Sequence, residues 1–230
     1  MHIGILSRGP KLYSTVRLVE AAELAGHTVE VIDHVYCSLL VSENGGGLFM
    51  NGRELRLPDV VIPRIGSSVT QIGAVTIAQL DLLNIPHLTS VDGLLLARDK
   101  MRSLQHLAMN GVKVPKTMFV TSAREAVKVA GQVGSYPIVV KLLESTHGVG
   151  VALVNNRYQL ERTAEAFLRL QHRIILQEFI EEADGGDLRI FVVNGKVVAS
   201  MQRKAIPGEF RANMHLGASA SAGQTTEEEE

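Results

Sequence analysis

The apolar residues of this chain change their period as it is followed from the amino terminus. Residues 2–6 form a short apolar run, the pattern of a buried strand. From 14 to 25 the spacing becomes helical: Val16, Val19, Ala22 and Leu24 recur along one stretch, and Gly26 supplies a stop. Residues 29–32 are a strand again. Strand, helix and strand at this spacing predict a βαβ unit and a parallel sheet. Asn51-Gly52, set between Leu48-Phe49-Met50 and Leu55-Arg56-Leu57, predicts a hairpin, because this pair accepts the positive φ angles of a tight turn. Residues 60–62 read as a further strand, 70–83 as a helix and 85–88 as a short edge strand, which completes a first domain over 1–94.

A second pattern follows. A helix is expected over 97–110, closed by Gly111. Strands are expected at 117–120, 138–143, 151–154 and 174–177, with helices at 123–131 and 158–170 between them. Two more strands, 188–193 and 196–201, are joined by Asn194-Gly195, a second hairpin signal. This half is predicted as α+β with much antiparallel pairing. The small residues of 217–223, then Thr225-Thr226 and four glutamates, read as low complexity.

Composition narrows the picture. The 230 residues are 46% hydrophobic but only 4% aromatic, with no Trp, so aliphatic side chains must fill the cores. A net charge of −1 gives no electrostatic footprint for direct nucleic-acid binding. One cysteine, Cys37, excludes an internal disulfide and a Cys-rich zinc site. No secretory signal opens the chain and no apolar stretch is long enough to cross a bilayer, so a cytoplasmic protein without a membrane partner is expected. No G-x-G-x-x-G follows the first strand, which leaves a dinucleotide site unsupported.

Four features, and Arg64 beside them, carry chemistry. Lys141 interrupts the apolar run Val139-Val140-Lys141-Leu142, where an ammonium is costly unless it meets a charge or snorkels to water. Seven residues later Gly148-Val149-Gly150 offers backbone N–H groups that approach an anion closely, or forms a plain tight turn. Gln177-Glu178-Phe179-Ile180 ends a strand with an acid able to accept from an adenine amine beside backbone that reads the ring edge. Asp187 is placed to hold ribose hydroxyls, while Glu181, Glu182 and Asp184 read as a solvated loop. Arg189, Arg203, Lys204 and Arg211, with Asn213 and His215, form a basic cluster suited to an anionic substrate. Arg64, in Pro63-Arg64-Ile65-Gly66, sits at the carboxyl end of a parallel strand, where ligands of open α/β sheets collect; an exposed loop arginine fits that position equally.

Together these features resemble the ATP-grasp superfamily, and within it the RimK-type alpha-L-glutamate ligases. The resemblance is carried by Ile5-Leu6-Ser7-Arg8 with Leu12-Tyr13-Ser14, Val61 to Gly66, Ala97-Arg98-Asp99-Lys100 with Arg102-Ser103, Val140-Lys141-Leu142, the glycine loop, Gln177 to Ile180, and Phe210-Arg211-Ala212-Asn213. His147 departs from the glutamine expected there. The resemblance implies an α/β plus α+β fold: an amino-terminal parallel-sheet domain (1–94), a linker helix with the ATP-grasp lid (95–176) and the start of a carboxyl-terminal ATP-grasp core (177–230), truncated at its carboxyl end. It implies ATP held by Lys100, Lys141, Gly148 and Gly150, with Glu178, Phe179 and Ile180 around adenine and Asp187 on the ribose. Arg203, Arg211 and Asn213 would face the γ-phosphate and an acyl phosphate. Arg64 and Arg189, arginines near the expected acceptor end, are the candidates for contacting substrate carboxylates. Mg²⁺ or Mn²⁺ is the implied metal, with ligands beyond residue 230, so no residue is assigned to it. The run 227–230 reads as the acidic first turn of a continuing helix. The implied reaction is ATP-dependent addition of glutamate to a protein carboxyl terminus, of a ribosomal protein first of all, by a homo-oligomer; the alternatives are the same chemistry on an amino-acid carrier protein or a coenzyme, or a non-catalytic ATP-binding module. The 230-residue chain alone is expected to bind ATP without ligating.

Overall fold

The structure, a computed structural model, describes residues 1–145, 150–170 and 173–226. The chain divides into two compact units, Met1–Ser103 and Leu104–Glu230.

In the first unit, β1 (His2–Leu6) lies between β2 (Thr28–Ile32) and β6 (Val60–Pro63), all parallel. The apolar run of β1 is explained by burial on both faces. Ile3 and Ile5 pack with Ala22 of α1 (Tyr13–Leu24), while Leu6 packs with Ile32, Val61 and Leu80 of α2 (Thr70–Leu82). The expected edge strand at 85–88 is a single parallel bridge between His87 and Val61. The Asn51-Gly52 turn forms as expected, with φ of 53° and 73°, and joins β4 (Gly45–Met50) to β5 (Arg53–Glu54). Strand β3 (Cys37–Ser42) escaped the sequence reading. Its partner β4 opens on three glycines, which carry no alternation. The hairpin is held instead by buried Gln79 of α2, whose amide donates to the carbonyls of Leu40 (2.7 Å) and Gly47 (3.1 Å).

The single helix expected over 97–110 is two helices, α3 (Val91–Arg98) and α4 (Lys100–Met109). Ser90 caps the first by accepting from the Gly93 N–H at 3.0 Å. Asp99 breaks the second away with an extended backbone, and its carboxylate accepts from the N–H groups of Met101 (2.9 Å) and Arg102 (3.0 Å). An aspartate with its carboxylate on those two N–H groups is a helix start, not a helix interior.

His34, in a short 3-10 turn after β2, is 1% exposed, and neither ring nitrogen has a hydrogen-bond partner among the described residues. Burial lowers its pKa, aided by Arg8 and opposed by Asp33. A histidine whose folded pKa lies below its unfolded value favours the unfolded chain once it protonates. Its stability contribution is therefore full above about pH 6.5 and is lost as pH falls toward the folded value. The thermal midpoint of the protein should drop between about pH 7.5 and about pH 5.5, and less steeply in His34→Leu. Parallel curves for the two proteins would contradict this.

In the second unit, β7 (Thr117–Val120), β10 (Ile174–Glu178), β8 (Ile138–Leu142) and β9 (Val151–Val154) form an antiparallel sheet in that order. Helices α5 (Ala123–Val133) and α6 (Arg157–Leu170) cover one face, packing Ala126, Val133 and Leu160 on Ile138, Val140, Leu142, Ile174 and Leu176. A second antiparallel sheet contains β11 (Gly186–Val193), β12 (Lys196–Lys204) and β13 (Ser219–Ala222), with the predicted Asn194-Gly195 turn between the first two. Strand β13 corrects the low-complexity reading of 217–223. All four of its residues are small and exposed, so no period of two was there to read. The fold class is as expected: a parallel-sheet unit followed by antiparallel sheets. Among the described residues no helix is long and apolar enough to cross a membrane.

Candidate active site

Strand β8 sorts its side chains by period two. Ile138, Val140 and Leu142 join the core under α5 and α6, which turns Val139 and Lys141 to the opposite face. There Lys141 stands across from Ile175 and Val151, and Val139 across from Gln177. Val139, Ile175 and Gln177 are all buried. The Lys141 ammonium donates to the Gln177 side-chain carbonyl, and the Gln177 amide donates to the Thr117 hydroxyl at 2.9 Å. No carboxylate meets Lys141 among the described residues, and burial pushes its pKa down. A cation on an apolar sheet face, held by a neutral amide, has the chemistry to accept an anion. Gln177 was noted only as the first residue of the strand-end motif, with no role of its own, and Thr117 was not singled out from sequence. The signal was present, since Gln177 interrupts one apolar strand as Lys141 interrupts its neighbour.

Of the glycine loop, Gly148 lies outside the described residues. Gly150 returns the chain to the sheet at φ +69°, its carbonyl accepting from the Leu142 N–H at 2.8 Å. A Cβ there would stand 2.4 Å from Leu142 Cδ1, so only glycine fits.

Glu178 ends β10 with its carboxylate accepting from the Lys116 N–H at 2.8 Å, while its own N–H donates to the Lys116 carbonyl at 3.0 Å. One carboxylate oxygen thus closes the sheet at β7, which leaves the backbone of residues 178–180 as the edge that can read a ring. Phe179 meets Phe210 edge-on at 6.5 Å, and Ile180 is exposed in extended backbone.

Asp187 and Arg203 are register partners on β11 and β12. Arg203 donates through Nε to Oδ1 at 2.7 Å and through Nη2 to Oδ2, a bidentate pair that raises the pKa of the guanidinium. Two residues expected on different parts of a nucleotide therefore hold each other. Arg189 is exposed, opposite Met201 and on the same face as that pair. Arg211 donates to Glu209 from Nε (2.9 Å) and Nη2 (2.7 Å), and lies 5.5 Å from the Phe210 ring centre. Glu209 also accepts from the N–H groups of Phe210 and Arg211; led by the Arg211 side chain, these bonds hold its pKa at about 2. Asn213 is half-buried, its carbonyl accepting from the Leu216 N–H at 2.9 Å.

In the first unit, Lys100 is the first residue of α4. Arg64 follows β6, exposed, and donates to the Ser14 hydroxyl at 3.3 Å. Arg8 follows β1 and donates to the Ser68 hydroxyl at 3.0 Å. Among the described residues no cluster of three or more His, Cys, Asp or Glu stands ready to hold a metal ion.

Solved structures share this architecture. A RimK domain ATP-grasp protein from Sphaerobacter thermophilus DSM 20745 aligns with a TM-score of 0.67 at 20% identity, covering 87% of this chain and 72% of its own. A D-alanyl-alanine synthetase A from Vibrio cholerae O1 aligns at 0.67 and 17% identity, covering 100% of this chain and 76% of its own. These likenesses show the ATP-grasp fold. Residues 1–94 match the RimK PreATP-grasp domain and residues 97–230 the RimK-like ATP-grasp domain. A "Probable alpha-L-glutamate ligase 2" of Shewanella sp. (strain W3-18-1) is 44% identical over 229 residues, spanning 100% of this chain and 76% of that relative. A "Probable alpha-L-glutamate ligase" of Aeromonas salmonicida (strain A449) is likewise 44% identical, with 77% of it covered. The chain belongs to the RimK family of ATP-grasp proteins and is an ATP-dependent ligase that forms C–N bonds.

Proposed function

We propose that this chain is an alpha-L-glutamate ligase acting on the carboxyl terminus of a protein, a ribosomal protein being the first acceptor to test. The observation that carries the ATP-dependent part is Lys141, a cation on an apolar sheet face that, among the described residues, is held by an amide. The glutamate part is supported by the names of relatives 44% identical over the whole chain.

In this reading Lys141 and Lys100 hold phosphate oxygens, the backbone of 178–180 and Phe179 frame adenine, and Asp187 takes the ribose. An acceptor carboxylate oxygen attacks the γ-phosphorus, the bond to the β-phosphate oxygen breaks, and ADP leaves. The glutamate amine then attacks the acyl carbon, the amide forms, phosphate departs and the amine gives up a proton. Arg203, Arg211 and Asn213 neutralise the charge that moves, which matters because phosphoryl transfer depends on positioning and electrostatics. Mg²⁺ would supply neutralisation of phosphate charge in such chemistry, and no described residue of this chain is assigned to it. The half-buried thiol of Cys37 suits a reducing compartment, so a cytoplasmic location belongs to the same proposal.

The test, on this chain extended to the full length of the relatives it matches, is a screen of all common amino acids with ATP, Mg²⁺ and an acceptor peptide, read by ADP release and product mass. Glutamate should be preferred, each round adding one glutamyl residue. Equal ADP release with alanine or lysine would remove the glutamate assignment and leave the ligase. Glutamate transfer to an amino-acid carrier protein or a coenzyme, but not to protein termini, would keep the chemistry and replace the acceptor.

A further inference from the structure

We infer that the crevice between the carboxyl ends of β1 and β6 binds both carboxylates of a free dicarboxylic amino acid, with Arg8 and Arg64 as its two forks. The inference rests on the glutamate-ligase reading and adds to it a place and a residue, Arg8. Strand order β2-β1-β6 puts the chain's reversal of direction across the sheet between β1 and β6. At such a switch point the loops after the two strands part and leave a crevice. Each loop sends one guanidinium across it. Arg8, after β1, reaches Ser68 after β6 (3.0 Å), and Arg64, after β6, reaches Ser14 at the start of α1 (3.3 Å).

Among the described residues each guanidinium hydrogen-bonds a hydroxyl and neither pairs with a carboxylate; Arg8 is also near enough to buried His34 to oppose its protonation. Asp33, the acid at the end of β2, is engaged as a cap, accepting from the Val35 N–H at 3.1 Å. The end of α1 adds to the positive field, with no side-chain cap and no acid in its first turn. Buried Ser7 bonds to buried Thr15 at 2.9 Å, which fixes that helix end to the strand. A guanidinium presents a planar fork matched to one carboxylate. Two forks crossing from opposite walls fit two carboxylates joined by a short chain better than one. The ligand class is therefore an amino acid with an acidic side chain.

Calorimetry on the full chain without ATP tests this, with glutamate, glutarate and glutamine as probes. Glutamate should bind about tenfold or more tighter than glutamine, and glutarate should follow glutamate. Arg8→Ala and Arg64→Ala should each weaken glutamate by at least about tenfold. One of the two should weaken glutamine as well, and the other should not. Both side chains are exposed, and unchanged thermal midpoints would separate lost binding from lost folding. Wild-type affinity for glutamate in both variants would overturn the inference. So would variants that lose only an acceptor peptide, since that places the peptide's carboxylate in the crevice. Ligation of glutamate with normal KM by both variants, in the chain extended to its relatives' full length, would sink the crevice and keep the ligase. Arginine-dependent dicarboxylate binding, with no amino acid ligated by the extended chain, would do the reverse.

Discussion

Lys141→Met should cost ATP affinity about ten- to a hundredfold while the fold survives. The lost contact is a charge-assisted hydrogen bond to phosphate, worth about 1.5–3 kcal/mol. Stability should change little because two terms offset. The folded state holds an ammonium whose pKa burial has pushed down, so at neutral pH the charge opposes folding, and that opposition fades only as pH rises through the lowered value. Methionine removes it and keeps the length of the stem. Against this, the Gln177 side-chain carbonyl loses its donor, while the Gln177 amide keeps Thr117. A net change within about 1 kcal/mol is expected from terms of this size. Nucleotide titration and thermal melts on the same preparations decide it. Unaltered ATP affinity would remove Lys141 from the phosphate site, and unfolding would recast it as a structural residue.

The same strand shows what is legible in the sequence. Lys141 stood out because a period-two pattern assigns every position of β8 a face, and an ammonium on such a strand needs a reason. Both hairpin turns were legible for an equally local cause, since Asn-Gly answers the turn's dihedral demands within two residues. Partners were not legible. Nothing near Asp187 in sequence says that Arg203 lies opposite, because register is a property of the paired strands, and nothing near Glu178 points back to Lys116. The break at Asp99 was missed because helical spacing on both sides outweighed one capping residue. Strand β3 was missed because its partner's glycines hide the period, and β13 because its small residues never alternate. Arg8 lay in a motif already noted, yet its chemistry appears only once Ser68 is seen across the crevice.

Asp187→Ala should destabilise the protein and change its choice between nucleotides. The Arg203 side chain is 8% exposed and that of Asp187 41%. Removing the acid strands a nearly buried guanidinium, and breaking a buried pair in this way costs several kcal/mol. The carboxylate is exposed enough that solvent screens part of the interaction, which brings the expected loss to about 1–3 kcal/mol. In an Arg203→Met background the same substitution should cost far less, because no stranded charge remains. That difference is the coupling between the two residues. The nucleotide readout is separate. Arg203 occupies one lone-pair direction on each carboxylate oxygen, and the others stay available to a ribose hydroxyl. Wild-type protein should therefore bind ATP more tightly than 2′-deoxy-ATP, and Asp187→Ala should bind the two alike at lower affinity. Were the substitution to lower stability while the preference for ATP persisted, Asp187 would be a holder of Arg203 alone, and the ribose contact would have to come from another residue.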